Sequence, residues 1–354
     1  MAKVAIGGFV KLSWDVYELK SKHAFSIARM KAPSARFAVR VRVTDGDAEG
    51  WGEAAPNAYY GESAETVTAV LPRYAAALED AAAGDAFALE RIEHAVELAI
   101  GRNPAARVAV SAALHDLVGR KLGVPVWKLW GLSPDTIPPS SFTLGLTSAD
   151  ELRARVREAA GYPILKVKVG TPGDEELLRV VREEAPDARV RIDANTGWTL
   201  KDAVARLPLL QELGIELIEQ PFKADDLEAL RLLRERSPIP IVADESCRTV
   251  ADVPRLAGVV DVINIKLEKC GSLREAVRMV HVARAHGLGV MLGCMLTSTL
   301  GIAAAAQVAP LVDYVDLDGA ALLGNDPFDG PHMDAQGHMV LNTEPGLGVR
   351  EREG

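Results

Sequence analysis

From about Pro138 onward, short apolar runs alternate with amphipathic stretches at a regular spacing. The runs are "SSFTLGL", "ILKVKV", "RVRID", "IELIEQ", "PIVAD", "DVINIK", "GVMLGC" and "DYVDLD". Each is short, β-branched and bounded by Gly, Pro, Asp or Ser, which predicts strands. Between them lie seven segments with apolar residues at helical spacing, starting for example at Ser148, Asp174, Thr199 and Ser272. Eight strands recurring about every 25 residues, each but the last followed by a helix, predict a (β/α)8-type barrel. A doubly wound open sheet is the alternative, but no Gly-rich phosphate loop follows the first strand.

The first third has a different rhythm. "RFAVRVRVTDGDAEGWGEAAP" gives two alternating strands joined at "DGD", a hairpin signal. Helices are predicted over Ala64–Glu79, Ala86–Ile100 and Ala105–Leu122, the last stopped by Gly123 and Pro125. The chain thus divides into an α+β unit over residues 1–124, a barrel over 125–324 and a Gly- and Pro-rich tail over 325–354, expected to return to the first unit.

Composition narrows the function classes. A net charge of −9 without a basic run argues against nucleic-acid binding. Cys247, Cys270 and Cys294 are too scattered for a disulfide framework or a CxxC metal site, which points to a reducing cytoplasm. The opening "MAKVAIGGFVKLSWD" reads as no secretory signal. Residues 287–312 contain no Asp, Glu, Lys or Arg, yet Gly293, the "TST" at Thr297–Thr299, Gln307 and Pro310 interrupt them. A buried strand, a turn and a buried helix fit better than a membrane span.

Charges then stand out at the strand ends: Lys168, Asp193, Glu219, Asp244, Lys266, and Asp316 with Asp318. One such residue is an ordinary solvated loop charge. Five consecutive strands ending this way would bring their charges to one barrel mouth. Asp193, Glu219 and Asp244, on adjacent strands, would repel one another at a high cost without a cation. An all-oxygen donor set points to Mg²⁺ first and Mn²⁺ second. No histidine falls at a strand end, which disfavours zinc; His281 and His286 sit on a helix and read as surface or packing residues. In "ILKVKVG", alternation puts Lys166 and Lys168 on one face and Leu165, Val167 and Val169 on the other. In a barrel the valines cover helices and the lysines look inward, with Lys266 arriving from roughly across. A lysine near a bound cation and partly desolvated has a lowered pKa, suited to an acid/base pair of Lys168 and Lys266.

In this order, "KVK", "DANTGW", "EQP", "ADES" and "NIKLEKCG", with "GWGEAAPNAYYGES" in the first unit, resemble the enolase superfamily and its muconate-lactonizing subgroup. The resemblance implies a modified (β/α)7β TIM barrel carrying an α+β N-terminal capping domain. It implies Asp193, Glu219 and Asp244 as Mg²⁺ ligands, and Lys168 and Lys266 on opposite faces of a substrate α-carbon. Lys166 would help neutralise the substrate carboxylate and tune Lys168. The interval from Asp244 to Lys266 is about two residues shorter than the subgroup's usual spacing, which implies a trimmed helix.

"VDLDG" puts Asp316 and Asp318 on one face, a pair suited to a substrate ammonium group. Such a D-x-D resembles dipeptide epimerases of the L-Ala-D/L-Glu type, which act on peptidoglycan peptides. Thr143 on the first barrel strand and Met295 in "GCMLTS" complete the expected substrate contacts. From the loop at residues 21–36, Arg29 or Lys31 would pair with a glutamate side chain, or Phe25, Ile27 and Met30 would line an apolar pocket. Muconate cycloisomerase, o-succinylbenzoate synthase and N-acylamino acid racemase remain alternatives, although their substrates lack a free ammonium. A non-catalytic metal- or peptide-binding barrel would not need lysines on two opposite strands. By analogy with enolase relatives, a homo-oligomer is possible.

Overall fold

A computed structural model describes residues 10–23, 26–28, 30–31 and 35–353. The first unit is an antiparallel sheet of β1 (Lys11–Lys20), β2 (Ala35–Asp45) and β3 (Ala48–Ala54), in that order, backed by α1 (Ala64–Ala82), α2 (Leu89–Ala99) and α3 (Pro104–Leu122). The hairpin pairs Asp45 with Ala48 across Gly46 at φ 63°. Helix α2 starts three residues later than predicted, because the Asp85 side chain accepts the Phe87 N–H and holds that stretch as a turn.

Alternation on β2 sorts its two faces. Val39, Val41 and Val43 pack into the cap core with α1, α2 and α3. Arg36, Ala38 and Arg40 therefore look the other way, toward the barrel. On β3, Gly50 lets the strand meet α3 directly: a Cβ there would stand 2.2 Å from the Ala113 carbonyl oxygen. The cap sheet and α3 thus form a rigid plate.

Eight parallel strands follow: β4 (Phe142–Leu144), β5 (Ile164–Lys168), β6 (Arg189–Asp193), β7 (Ile215–Glu219), β8 (Ile241–Ala243), β9 (Val262–Lys266), β10 (Gly289–Gly293) and β11 (Tyr314–Asp316). They pair in chain order, and a bridge from Ser140 to Val315 joins the last to the first. The expected barrel and cap are what the chain adopts. Outside run α4 (Ala149–Glu158), α5 (Asp174–Glu184), α6 (Leu200–Glu212), α7 (Leu227–Arg234), α8 (Val253–Leu256), α9 (Leu273–Ala285) and α10 (Thr299–Ala306). Helix α8 has only four residues, which accounts for the short interval between Asp244 and Lys266.

Leu165, Val167 and Val169 belong to the layer between barrel and helices. Inside, Leu217, Val242, Val262 and Met291 form a separate apolar plug with Tyr314. Leu217, Val242 and Val262 lie two, two and four positions before Glu219, Asp244 and Lys266, so the same period that closes the floor raises the charges at the mouth. The uncharged stretch at 287–312 forms β10, a turn and the buried α10, and no helix among the described residues is long and apolar enough to cross a membrane. The tail runs back to the cap, where the Leu347 N–H donates to Asp116 of α3 at 2.7 Å and the Arg120 guanidinium to the Val349 carbonyl at 2.9 Å.

Candidate active site

Strand register assembles the mouth. Lys168 lies beside Asp193, Asp193 beside Glu219, and Thr143 beside Lys166. Asp244 follows β8 directly, and carboxylate oxygens of Asp193, Glu219 and Asp244 all come within 4.8 Å of one another. All three are buried. Three converging buried carboxylates with no imidazole or thiolate among them are a donor set for a hard divalent cation.

Two of the lysines flank this cluster. Lys168 Nζ donates to Asp193 Oδ2 at 2.6 Å, and Lys266 Nζ to Asp244 Oδ2 at 2.8 Å. They retain 8% and 7% exposure, against 2% for Lys166, so all three line the cavity and Lys166 lies deepest. Gly293 makes room for Lys266: a Cβ would stand 3.0 Å from its Cε. Lys166 Nζ sits 2.7 Å from Glu219 Oε2, 2.7 Å from Asp316 Oδ2 and 3.3 Å from Asp193 Oδ2.

Burial alone would lower the pKa of Lys166 and Lys266, but the carboxylates outweigh it. Lys166 is held well above its ordinary value by Asp316, Glu219 and Asp193, and Lys266 well above its own by Asp244. The lowering expected from sequence is that of a lysine beside a bound cation, whereas here the ammonium itself neutralises the carboxylate. A cation bound to Asp244 would take over that role and reverse the balance. Burial raises Glu219 to about 7, with Asp193 adding to it, whereas Lys266 and Lys269 hold Asp244 well below the usual carboxylate range despite burial.

The two acids after β11 keep different company. Asp316 has both oxygens engaged, by the Ser141 hydroxyl at 2.6 Å and by Lys166. Asp318 is held by Thr143, whose N–H donates to Oδ2 at 2.6 Å. Burial and the neighbouring Asp316 raise Asp318 to about 6. Met295 lies at the rim, where its sulfur accepts from the Asn57 amide at 3.5 Å. Arg29 and the side chain of Lys31, like those of Phe25, Ile27 and Met30, lie outside the described residues. His281 and His286 are exposed on or after α9, away from the mouth.

Several supporting residues escaped sequence reasoning. Lys269 donates to Asp244 Oδ1 at 2.6 Å and to the Asn264 carbonyl at 2.8 Å. Asn264 donates to Glu219 Oε1 at 2.8 Å, and alternation two residues before Lys266 was the signal for it. The Gln220 side chain, in "EQP", accepts the Asp244 N–H at 2.8 Å. From the cap, buried Glu53 accepts hydrogen bonds from Thr297, Ser298 and Tyr17, which fixes the loop after β10 that carries Met295. The cavity enclosed between cap and mouth has a volume of about 330 Å³, room for a small molecule only.

A closed α/β barrel with catalytic-type charges gathered at the C-terminal ends of its strands, under a second domain, defines a barrel enzyme. The comparisons agree on which kind. Residues 148–353 match the family described as Enolase C-terminal domain-like, and residues 15–131 the Mandelate racemase / muconate lactonizing enzyme, N-terminal domain. The chain belongs to the enolase superfamily. It is 40% identical to the L-Ala-D/L-Glu epimerase of Bacteroides thetaiotaomicron over 98% of this chain and 89% of the relative. Its fold superposes on the substrate-liganded L-Ala-D/L-Glu epimerase from Bacillus subtilis with a TM-score of 0.90 at 29% identity, covering 97% of this chain and 98% of the other. The dipeptide epimerase from Enterococcus faecalis complexed with Mg and L-Leu-L-Tyr gives 0.89 at 31% identity, covering 97% and 99%.

Proposed function

We propose that this protein is a Mg²⁺-dependent dipeptide epimerase that inverts the α-carbon of the C-terminal residue by proton transfer between two lysines. The observation that carries the reading is the pair Lys168 and Lys266, each an ammonium against a different one of the three clustered carboxylates, on either flank of the cluster. Both relatives and superposable structures act on or bind dipeptides, which supports the substrate class.

Asp193, Glu219 and Asp244 would hold Mg²⁺, and the all-carboxylate, buried donor set fits that ion. Bound there, Mg²⁺ supplies positive charge for the substrate carboxylate and for the negative charge that develops when the α-proton leaves. Of the two lysines, the one present as neutral amine takes the α-proton. The C–H electron pair passes into the enolate, and the other lysine, as ammonium, returns a proton to the opposite face. Lys166, bound among three carboxylates, stays protonated and offsets their charge. Asp318, supported by Thr143 and by the Asp316–Lys166 pair, receives the substrate ammonium. A substrate without that ammonium would leave the Asp318 charge buried with the Thr143 hydrogen bond but no cation of its own, which weighs against the cycloisomerase and N-acylamino acid racemase readings.

Incubation with a dipeptide library in D₂O, read by mass spectrometry, tests this. Mg²⁺-dependent gain of one deuterium at the C-terminal residue is expected. No incorporation into any dipeptide would refute it.

A further inference from the structure

Both carboxylate oxygens of Asp244 are taken by ammonium groups: Oδ1 by Lys269 at 2.6 Å and Oδ2 by Lys266 at 2.8 Å. Given the reading of Asp193, Glu219 and Asp244 as the Mg²⁺ site, on which this inference rests, one of these lysines must yield its oxygen to the ion. Lys269 is the fixed one, since it also donates to the backbone carbonyls of Asp244 at 2.5 Å and Asn264 at 2.8 Å. The bond to Asp244 is the one hydrogen bond that the Lys266 ammonium makes among the described residues. Lys266 is therefore the group that lets go, and at 7% exposure it has little water to turn to. A buried ammonium that loses its carboxylate needs another.

An acid stands two residues further on. Glu268 lies in the buried helical turn Leu267–Cys270 that leads out of β9. Its Oε2 is buried without a hydrogen-bond partner, and among the described residues it forms no ion pair. Burial raises its pKa to about 7 against the pull of its own backbone N–H, of Lys266 and of Lys269, so the carboxylate is charged at pH 8. The other titratable groups it faces are Glu53 of the cap and the Cys294 thiol after β10. Asn264 Oδ1 is a second buried acceptor without a partner beside Lys266, but a neutral amide oxygen does not replace a lost charge. Lys168, paired with Asp193, is followed by Val169, Gly170 and Thr171, so a reserve acid follows just one of the two lysines.

We infer that Glu268 is a positioning residue that receives the Lys266 ammonium when Asp244 turns to Mg²⁺, and so keeps that lysine anchored at the mouth of the loaded enzyme. Glu268 touches neither ion nor substrate and acts through Lys266. The charge-assisted pair offsets part of the cost of releasing Lys266, so Mg²⁺ affinity depends on Glu268 most where residue 266 is a lysine. In the metal-free protein the Glu268 carboxylate has no partner to lose, and removing its charge there costs nothing.

Calorimetric titration of Mg²⁺ into the EDTA-stripped, dialysed full-length protein at pH 8 tests this. Glu268→Gln should raise Kd by about 10- to 100-fold, the range of a hydrogen bond to a charged group. In a Lys266→Met background the same substitution should cost about tenfold less, since only the through-space attraction of the carboxylate for the ion is left. Glu268→Asp, which keeps the charge, should recover part of the wild-type affinity. Urea denaturation in EDTA should give Glu268→Gln the wild-type midpoint. Equal penalties in the two backgrounds overturn the assignment. An unchanged Kd in Glu268→Gln overturns it even if no Lys266 variant folds, and a midpoint that falls as far in EDTA as in Mg²⁺ makes the role structural and overturns it too. Each of these leaves the metal site standing. Absence of Mg²⁺ binding to the wild type removes that reading instead, and this inference with it.

Discussion

Lys269 Nζ donates to Asp244 twice, to its backbone carbonyl at 2.5 Å and to carboxylate Oδ1 at 2.6 Å, while Lys266 takes Oδ2 from the other side. One carboxylate is therefore gripped by two ammonium groups with different tasks. Lys266 reaches the cavity, whereas Lys269 also bonds the Asn264 carbonyl and so ties the end of β8 to β9. Replacing it by methionine would leave two buried carbonyls and one carboxylate oxygen short of a donor. Lys269→Met should destabilise the metal-free fold by about 3 kcal/mol, the scale for breaking a buried pair. Urea denaturation in EDTA measures this, and a change below about 1 kcal/mol would show the clamp to be dispensable.

The two-lysine mechanism makes a sharper demand. Lys168→Ala and Lys266→Ala each remove one partner of the transfer, so neither variant should interconvert L- and D-epimers. A loss of about 10²–10⁴-fold or more is expected, the scale of a positioned general acid or base. Chiral chromatography of the product checks it. Turnover near wild type in either variant would rule out transfer between these two residues.

How much of this could be read from the chain depends on which geometric rule each residue obeys. Lys168, Asp193, Glu219, Asp244 and Lys266 close strands, and barrel closure brings strand ends together whatever the loops do. Period two then separated Lys166 and Lys168 from Val167. Lys269 was invisible to that rule, because Leu267–Cys270 forms a helical turn after β9 and the alternation stops there. Glu53 reaches Thr297 from 244 positions away in another domain. Arg36 likewise acquires its place only when the cap docks. The split between Asp316 and Asp318 was hidden for a different reason: both lie on one face, and only the contact with Lys166 distinguishes them.

Asp318 gives the site an acid limit. With its pKa raised to about 6, the side chain is neutral below that pH and charged above it. An ammonium is bound by the charged form, so kcat/KM for a dipeptide should fall as pH drops through about 6. Once substrate is bound, its positive charge lowers the pKa and kcat should hold to lower pH. Asp318→Asn should raise KM and remove this acid limb from the kcat/KM profile. An unaltered KM in the variant would exclude an ammonium-binding role.

Glu219 governs the metal in the same way. Burial first, and Asp193 second, raise it to about 7, so below that pH it carries a proton that a divalent ion must displace. Coordination requires the carboxylate form, hence Glu219 makes binding of Mg²⁺ release about one proton more at pH 6 than at pH 8. Affinity should fall about tenfold per pH unit below 7, and hardly change above it. Titration calorimetry of the EDTA-stripped, dialysed protein in two buffers of different ionisation heat counts the protons directly. Glu219→Gln, which has no proton to lose, should weaken binding and flatten the dependence. Equal proton release at pH 6 and pH 8 would show that Glu219 does not set the metal's pH response.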